Sequence, residues 1–469
     1  MNDAAKRVLM GLLFFPRGGS AQVMRYLARG LPEQGWDATL VAGSLGQPGE
    51  PSHAETFFKG IDVRPLDYTA SSKASDPLRA DPPFQPSFED REDAPDQVFA
   101  KVGDEDFERL VATWEAKLGD AGAADADLLH LNHLTPINEA AARSFPDVPA
   151  IGHLHGTELL MLNEIEQGPP DGWEHATAWA ERMRGWARRC QRLLVLSPDA
   201  VERVPDLLGV EPEKVVWAPN GFEPESFDRR PRAGEERVAL WRDWLVTDPR
   251  GWDASGEPGS VSYDEHDLDA FRDGPVLLYV GRYTEVKRIP LTIRAYARAR
   301  ERFEGRRAPL VLLGGFPGEW EGEHPLDVIR ETQVEDVFLA GWRGHEDLPD
   351  GLNASDALVL ASVHEQFGQV LVEAMACGLP VVAVDAHGPS TIVDDGETGW
   401  LVPADDEEAL AEAIVELVTG DDERERRGKA AYEAARERYA WPALIEKLAK
   451  VYDEVRAGRR PERGLSSLS

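Results

Sequence analysis

The sequence predicts an α/β protein with two doubly wound domains, each built on a parallel sheet. The chain has 469 residues, and because a single core stops growing at roughly 250 to 300 residues, this length predicts two domains. Short apolar runs alternate with amphipathic helical patterns over most of the chain. Runs without polar alternation, separated by helices, indicate parallel strands that are covered on both faces.

The expected strands are short apolar runs, and the clearest expected helices lie between them. The strands are VLMGLL (8–13), LLHL (128–131), LLVL (193–196), VLLYV (276–280), LVLL (310–313), ALVL (357–360) and VVAV (381–384). Apolar residues recur at helical spacing in 20–34, 173–190, 289–304, 407–418 and 441–456. That spacing is the primary signal for an amphipathic helix.

Two segments interrupt this alternation. Residues 70–105 are rich in Pro, Asp and Ser and predict a long loop outside the core. Residues 223–274 lack periodicity and indicate an insertion or linker, which places a domain boundary near residue 220. The expected organisation is an N-terminal domain (1–220), a C-terminal domain (221–440), a last helix crossing back to the first domain (441–458) and a disordered polar tail (459–469).

The composition excludes some classes of protein. Lys and Arg number 51 against 85 Asp and Glu, a formal charge of −34. A nucleic-acid-binding protein needs a basic surface, so this balance argues against that class and indicates a strongly solvated surface. Cys190 and Cys377 are the two cysteines and form no CxxC pair, so neither a disulfide framework nor a zinc site is expected, and a reducing cytoplasm fits best.

The N-terminus imitates the start of a secretory signal. Lys6-Arg7 is followed by VLMGLLFF, but the apolar run stops at Pro16-Arg17 and no small-residue cleavage site follows. A buried first strand is therefore the better interpretation. No apolar stretch is long enough to span a membrane.

The stretch HEQFGQVLVEAMACGLPVV (364–382) carries two acids at a suggestive spacing. Gly368 allows the chain to turn into a helix, so Glu365 precedes the helix and Glu373 falls on its second turn, with the carboxylates roughly 10 to 12 Å apart along the axis. The unpaired amides at the helix start favour a phosphate. A nucleotide-sugar has phosphate in the middle and hydroxyls at both ends. The alternative is that both acids only cap and decorate a helix start.

Two further segments carry candidate phosphate contacts. In YVGRYTEVKR (279–288), Arg282 and Lys287 follow a buried strand, at the edge where open parallel sheets bind ligands. Two cations there could neutralise a diphosphate without a metal, although they could also be solvated loop charges. In FPRGGSAQVMRYLARGL (15–31), Gly18 and Gly19 would let a phosphate approach the backbone, but the spacing is not GxGxxG.

Together these segments resemble the retaining glycosyltransferases of family 4, which have the GT-B fold of two Rossmann-like domains facing a cleft. The resemblance is nearly continuous from 276 to about 420 and is limited to islands in the first half. The matching segments are GGS (18–20), HLHGTE (153–158), PNGFEPESF (219–227), GRYTEVK (281–287), EQFGQVLVEAMACGLPVVA (365–383) and DDGETGWLVP (394–403). The E-x7-E stretch within 365–383 is the most specific of them.

The resemblance implies roles for individual residues in binding the donor. Glu365 would hold donor-sugar hydroxyls near the reacting carbon, and Glu373 would bind the ribose. Arg282 and Lys287 match the diphosphate-binding pair of the family, and Gly19 matches a glycine whose amide contacts the same phosphates.

Further positions follow from the same resemblance. His155 resembles a histidine near the donor sugar and, with Glu365, is the expected catalytic pair. Arg343, in the GWRG loop, lies where the family's backbone meets the base. Phe367, Gly368 and Gln369, at the turn between the glutamates, complete the expected donor-binding residues.

The implied reaction is transfer of a sugar, with retained configuration, from a nucleotide-diphosphate-sugar to a hydroxyl of a sugar, polyol, glycan or lipid-linked acceptor. In such enzymes the diphosphate helps to deprotonate the acceptor, so the resemblance implies no protein nucleophile, no metal and no cofactor. The rival enzymes are a nucleotide-sugar epimerase, which lacks an E-x7-E arrangement, and a phosphorylase of similar fold, which needs a lysine that anchors pyridoxal phosphate, for which the sequence offers no context. A rival of another class is a non-catalytic nucleotide-sugar-binding protein of the same fold.

Blander interpretations apply to several single residues. His153 competes with His155 for the site, and the following GTE favours His155. The D-x-D pairs Asp125/Asp127 and Asp104/Asp106 arise by chance in so acidic a chain, so a metal-dependent site is rejected. The basic segment 179–192 could contact anionic lipid, but a solvated face of a packed helix is the better interpretation. The sequence does not indicate an oligomeric state.

The chain also departs from the family's pattern. Arg288 stands where glycine is frequent, and Thr391 stands where glutamate is frequent. The segment 223–274 is longer than the usual connection between the domains, so it could reshape the acceptor side.

Overall fold

The computed structural model describes residues 5–16, 18–90 and 95–458. The chain divides into two compact units, the first formed by Met1–Asn220 with Trp441–Ser469 and the second by Gly221–Ala440. Each unit contains one parallel sheet flanked by helices, as the sequence predicts. The polar tail expected at 459–469 lies outside the described residues.

The strands confirm the predicted sheet segments. They are β1 Lys6–Leu12, β2 Trp36–Ser44, β3 Asp62–Asp67, β4 Leu128–Asn132, β5 Ala150–His153, β6 Arg192–Val195, β7 Val215–Trp217, β8 Leu277–Gly281, β9 Leu310–Gly314, β10 Val337–Gly341, β11 Ala357–Leu360, β12 Val381–Val384 and β13 Gly399–Val402. Every run that was expected to be a strand is one.

The expected helices are also present. The α-helices are α1 Gly19–Gly30, α2 Ala54–Phe57, α3 Asp104–Asp120, α4 Pro136–Ser144, α5 Thr157–Gln167, α6 Ala176–Arg189, α7 Pro198–Leu208, α8 Gly234–Arg242, α9 Ile289–Arg300, α10 Pro325–Thr332, α11 Leu348–Asn353, α12 Gln369–Ala376, α13 Pro389–Ile392, α14 Glu407–Thr419, α15 Asp421–Arg438 and α16 Trp441–Arg456. No helix among the described residues has both the length and the apolar character needed to cross a bilayer.

The first unit is a seven-stranded sheet in the order β3-β2-β1-β4-β5-β6-β7. Helix α16 belongs to this unit, although it comes last in the chain. Its Trp441 stacks on Tyr26 at 5.5 Å between ring centroids, and its Tyr452 meets Trp36 edge-on at 5.2 Å. The C-terminal helix therefore completes one of the two apolar layers that cover the first sheet.

The second unit is a six-stranded sheet in the order β10-β9-β8-β11-β12-β13. The chain leaves β8 toward one edge and resumes at β11 on the other side, so the strand order reverses between these two neighbours. Open parallel sheets bind ligands at the carboxyl ends of the strands that flank such a point. Arg282 directly follows β8, and Glu365 lies in the loop that follows β11.

The prediction that 70–105 lies outside the core is wrong for its described residues. Single 3-10 turns replace regular structure there, yet the segment contributes many side chains to the first core. The many prolines and aspartates of the segment explain its irregular backbone. Its burial is due instead to the aromatic and aliphatic residues that lie between them. The described residues of the segment that join this core are Leu78, Phe84, Phe88, Val98, Phe99, Ala100 and Val102.

The segment 223–274, predicted to be an insertion or linker within the C-terminal domain, has regular structure of its own. The segment is an integral part of the second unit and contains α8, which continues into a π-helical turn at Asp243–Thr247. Trp241, Trp244 and Trp252 are buried in that unit. A π turn has a wider repeat than an α-helix, so the apolar residues do not recur at helical spacing and the pattern is hidden in the sequence.

Candidate functional site

The turn into α12 places the two glutamates as the sequence predicts. Gly368 has φ of 102°, a conformation that favours glycine, and a Cβ there would stand 2.8 Å from Leu371. Glu365 precedes the turn, and Glu373 lies on the second turn of the helix, where it is 3% exposed. Phe367, also buried, and Gln369 flank the glycine.

Glu365 is paired with Lys287. The ammonium group of Lys287 donates to Oε2 of the carboxylate, and each side chain is only 19% exposed. Arg282, directly after β8, is exposed, and its guanidinium makes no side-chain hydrogen bond or ion pair with any other described residue. One cation of the predicted pair thus neutralises a carboxylate, while the other is available to an anion.

The carboxylate of Glu373 is held at one oxygen. His345 Nε2 lies 3.0 Å from Oε1, and Gln369 Nε2 donates to the same atom at 3.1 Å and to the carbonyl of Gly221 at 2.8 Å. Oε2 receives no hydrogen bond from the described residues. The arrangement fixes the carboxylate and leaves one oxygen for a ligand hydroxyl.

His345 is a site residue that the sequence reasoning missed. It lies in the loop that follows β10, two residues beyond Arg343, and it reaches Glu373 across 28 residues of chain. Its one sequence signal is its place in a loop at the carboxyl edge of a parallel sheet.

Arg343 is directed into the protein. Its Nη2 donates to the carbonyls of Asp248 at 2.7 Å and Trp244 at 3.1 Å, and Nη1 lies 3.2 Å from the Asp248 carboxylate. Burial lowers the pKa of this guanidinium, and the hydrogen bond with Asp248 partly offsets that effect. The side chain therefore anchors the loop after β10, while the role predicted for its backbone stays a prediction.

Arg288 stands where the family frequently has glycine, and it adopts a backbone conformation typical of glycine. Its φ is 52°, in the left-handed region that favours the glycine frequently found there. Its guanidinium donates to the Asp405 carboxylate at 2.6 Å, a contact that glycine could not make.

Gly19 and His155 belong to the first unit. Gly19 begins α1, and apart from its own helix and chain neighbours no described residue comes within 4 Å of the position that a Cβ would take. His155 follows β5 and is half-buried. The other predicted site residues belong to the second unit.

His155 is held by two buried partners. Its Nε2 lies 2.9 Å from Asn132 Oδ1, and its backbone N–H donates to Glu158 Oε1 at 3.0 Å. Its ring stacks on His153 at 4.4 Å and contacts His133 at 4.6 Å. Burial, followed by the neighbouring histidines, lowers the pKa of His155 well below its ordinary value, so the ring is neutral at neutral pH.

The other histidines form a buried network behind it. His130 Nε2 lies 3.1 Å from His153 Nδ1, and His130 Nδ1 is hydrogen-bonded to the Tyr452 hydroxyl. Burial lowers the pKa of His153 to about 3. Because His153 is engaged with His130 and fully surrounded by protein, the structure favours His155 as the residue that can reach a ligand.

Among the described residues, Glu158 is the carboxylate that contacts this network. It is fully buried, and its Oε2 lies 3.3 Å from His133 Nδ1. Burial acts to raise its pKa, but His133 and backbone N–H groups lower the pKa overall. Glu158 is thus an anion that orients His133 and the backbone of His155.

Among the described residues, no cluster of His, Cys, Asp or Glu has the arrangement of a metal site. Asp127 accepts hydrogen bonds from the backbone of Arg7 and the side chain of Arg456, and Asp104 pairs with Arg182. These aspartates serve the surface structure of the first unit. On α6, Trp179, Met183 and Trp186 are buried, so they cannot face a lipid surface.

Two family models match successive parts of the chain. The model described as Glycosyltransferase Family 4 matches residues 17–226, and the model described as Glycosyl transferases group 1 matches residues 264–434. The first match lies within the first unit apart from its last residues, and the second lies within the second unit.

Curated relatives have similar sequences over part of their length. D-inositol 3-phosphate glycosyltransferase of Kineococcus radiotolerans is 32% identical over 287 residues, which are 58% of this chain and 59% of the relative. Alpha-D-kanosaminyltransferase of Streptomyces kanamyceticus is 31% identical over 184 residues, 39% of this chain and 46% of the relative. The chain thus matches about half the length of these relatives.

Solved structures have the same fold over nearly the whole chain. Sucrose-phosphate synthase from Thermosynechococcus elongatus has a TM-score of 0.67 at 20% identity, covering 97% of this chain and 100% of that one. Anabaena HepE in complex with UDP-glucose has a TM-score of 0.64 at 18% identity, covering 96% and 99%. These similarities show a GT-B fold, and together with the two family models they establish that the chain belongs to the family 4 glycosyltransferases.

Proposed function

We propose that this protein transfers a glycosyl group, with retained anomeric configuration, from a nucleoside-diphosphate sugar to a hydroxyl acceptor. The observation that carries the proposal is the pair of glutamates at the start of α12. Glu365 is neutralised by Lys287, and Glu373 is held at Oε1 while Oε2 stays open. One carboxylate is thus ion-paired and the other is hydrogen-bonded at a single oxygen, and the two flank the start of one helix. This arrangement suits a ligand that carries a different hydroxyl-bearing ring at each end.

The donor would lie along the carboxyl edge of the second sheet. The first amides of α12 and the unpaired guanidinium of Arg282 supply positive charge for the diphosphate. Glu373 Oε2 would accept a hydrogen bond from a ribose hydroxyl. The amide of Gly19, at the start of α1, is proposed to contact the same phosphates.

The sugar would lie on the side of Glu365. Its carboxylate accepts hydrogen bonds from sugar hydroxyls, and a ligand that replaces Lys287 as partner would free the ammonium group for the diphosphate. Charge develops on the departing diphosphate, so Arg282 and Lys287 would stabilise the transition state more than the ground state. Because these two cations would neutralise the charge of the diphosphate, the proposed reaction requires no metal and no cofactor.

The acceptor hydroxyl would approach the same face of the sugar that the diphosphate leaves. A phosphate oxygen of the leaving group takes the hydroxyl proton as the new C–O bond forms and the C–O bond to the diphosphate breaks. This accounts for retention without a protein nucleophile. His155, neutral and half-buried, would accept a hydrogen bond from a hydroxyl near the reacting carbon.

The names of the relatives indicate where to begin a search for substrates. A UDP-glucose complex of HepE makes UDP-sugars the first donors to test, and the inositol 3-phosphate named in several relatives makes phosphorylated polyols the first acceptors. For this chain both are proposals.

The test is transfer by the purified protein. Incubation with UDP-, GDP- and ADP-sugars and a panel of hydroxyl acceptors is expected to release nucleoside diphosphate in an acceptor-dependent manner, also in the presence of EDTA. Proton NMR of the product measures the anomeric configuration. Binding of donor without release in any combination would favour a non-catalytic binding protein, and conversion of the donor sugar without release would favour an epimerase.

A further inference from the structure

Asn132 is a fully buried side chain at the carboxyl end of β4, and it contacts the ring of His155. Its Oδ1 lies 2.9 Å from His155 Nε2, and its Nδ2 donates to the carbonyl of Gly11 on the neighbouring strand at 3.1 Å. Nδ2 also lies 3.6 Å from the sulfur of Met24. Both ends of the amide are therefore engaged inside the first unit.

The contact with Gly11 determines which way the amide points. A carbonyl oxygen can only accept a hydrogen bond, so the atom of Asn132 that faces Gly11 must be the nitrogen. Turning the amide over would place two acceptor oxygens against each other and lose the hydrogen bond to Gly11. Oδ1 must then face His155.

The orientation of the amide in turn determines where His155 carries its proton. Oδ1 is an acceptor, so the ring nitrogen beside it, Nε2, must be the N–H. In a neutral imidazole the other nitrogen then has a lone pair and no proton. Nδ1 of His155 makes no hydrogen bond with the described residues.

We propose that Asn132 is a positioning residue that holds His155 in the Nε2–H tautomer, so that Nδ1 is a hydrogen-bond acceptor that selects a hydroxyl of the substrate. The role of His155 as a ligand contact rests on the function proposed above, whereas the tautomer does not. A lone pair at Nδ1 attracts an O–H group and repels a phosphate oxygen. His155 therefore serves a sugar or acceptor hydroxyl and takes no part in holding the diphosphate.

The surroundings of His155 support this state. His153 stacks on its ring, His133 contacts it, His130 lies behind His153, and Glu158 accepts from its backbone N–H rather than from the ring. No carboxylate of the described part of the chain is bonded to either ring nitrogen, so the contacts of the ring there do not favour the imidazolium. The lowered pKa of His155 agrees with this geometry.

The tautomer can be measured without any assay of transfer. Nitrogen-15 NMR of the histidine rings in the full chain, with His155→Gln to assign the resonance, is expected to show Nε2 protonated and Nδ1 unprotonated at neutral pH. A spectrum with Nδ1 protonated would overturn the proposal whatever the protein catalyses. Absence of transfer from every donor would overturn the proposed function, and the selection of a hydroxyl with it, while the assignment of the tautomer would stand or fall on the spectrum.

Variants test whether Asn132 sets the state. In Asn132→Ala the Nε2–H of His155 loses its acceptor, so a fraction of the molecules is expected to carry the proton at Nδ1 instead. A decrease in kcat of about tenfold is expected, which corresponds to the loss of about one hydrogen bond. In Asn132→Asp the carboxylate stabilises the imidazolium, so kcat is expected to fall as the pH is lowered through the neutral range and to recover toward the wild-type value at alkaline pH. A role in folding alone would lower kcat equally at every pH.

Tyr452→Phe is the matched control, because it removes a hydrogen bond from His130 at the far end of the same network. It is expected to leave the pH profile and the His155 spectrum unchanged. A wild-type pH profile in Asn132→Asp, or an unchanged His155 spectrum in Asn132→Ala, would contradict the role of Asn132. If Asn132→Asp does not fold, the Asn132→Ala spectrum decides.

Discussion

The imidazole Nε2 of His345 donates to Oε1 of Glu373 across 3.0 Å. Gln369 donates to the same oxygen at 3.1 Å, so both donors lie on one side of the carboxylate. The ring of His345 is in turn packed against Phe227, at 5.2 Å between ring centroids. The loop after β10 and helix α12 are thereby joined at the residue that is proposed to bind the ribose.

His345→Ala is expected to weaken the binding of nucleoside diphosphate about tenfold, because Glu373 loses one of the two donors that orient it. His345→Gln, which can still donate from an amide, should retain more of the affinity. Titration calorimetry with UDP, GDP and ADP measures both. Glu346→Gln, at the exposed neighbouring position, is the control, and equal affinity in His345→Ala and this control would contradict the prediction.

Arg282→Ala is expected to remove most of the thermal stabilisation that a nucleoside diphosphate gives to the wild type. A ligand that binds only the folded state raises the unfolding temperature in proportion to the logarithm of its concentration over Kd, and the loss of the unpaired cation raises Kd. Arg298→Ala is a matched control, since Arg298 pairs with Glu407 and Glu408 on the outside of the second unit. An undiminished temperature shift in Arg282→Ala would remove this residue from the phosphate site.

Glu365→Gln is expected to separate catalysis from binding. The amide keeps the size of the side chain but loses the charge that accepts strong hydrogen bonds from sugar hydroxyls, so kcat should fall roughly 10- to 100-fold. Lys287 loses its partner and becomes available to phosphate, so the affinity for nucleoside diphosphate should be retained or increased. Steady-state kinetics and calorimetry on one preparation test both statements, and a parallel loss of kcat and affinity would contradict them.

The predicted fold followed from patterns that are local in the chain. A strand buried on both faces is a continuous apolar run, and this is why segments such as 276–280 and 381–384 were recognisable. The burial of Phe88 and Trp241 was not predicted. One lies in an irregular segment and the other precedes a π-helical turn, and neither setting has a simple period.

The residues of the candidate site also divide into those that local sequence patterns predict and those that they do not. Gly368 must adopt a left-handed conformation for the chain to turn, so the placement of Glu365 and Glu373 could be predicted from the sequence. Asn132 and His345 were not predicted, because they act on residues 23 and 28 positions away. Contacts of this kind depend on strand order, which apolar patterns do not specify.

The histidine network predicts a loss of stability in weak acid. The pKa values of His130, His153 and His155 are lowered in the folded protein, that of His153 to about 3, whereas an unfolded histidine titrates near about 6.5. Below about pH 6.5 the unfolded chain therefore binds protons that the folded chain does not, and the free energy of unfolding falls as the pH falls. Each such histidine contributes up to about 1.4 kcal/mol per pH unit.

Denaturant unfolding between about pH 5 and 6.5 measures this slope, in a range above the ordinary titration of carboxylates such as Glu158. His153→Asn should reduce the slope, since one group that must stay neutral is removed. His266, whose side chain is 91% exposed, supplies the matched control His266→Gln, which should leave the slope unchanged. The same slope in His153→Asn and wild type would show that the network does not control the acid response.

Arg343→Met tests whether this residue anchors the loop after β10. Methionine fills a similar volume but leaves the carbonyls of Trp244 and Asp248 without their donor, so the second unit should lose about 2 to 3 kcal/mol of stability. The loosened loop should also weaken the binding of nucleoside diphosphate through His345. Arg343→Lys should recover little, because one ammonium group cannot reproduce the fork that bonds three acceptors. Arg330→Met, on the exposed face of α10, is the control in denaturant unfolding and calorimetry, and a variant at position 343 as stable as that control would show that the buried guanidinium does not anchor the loop.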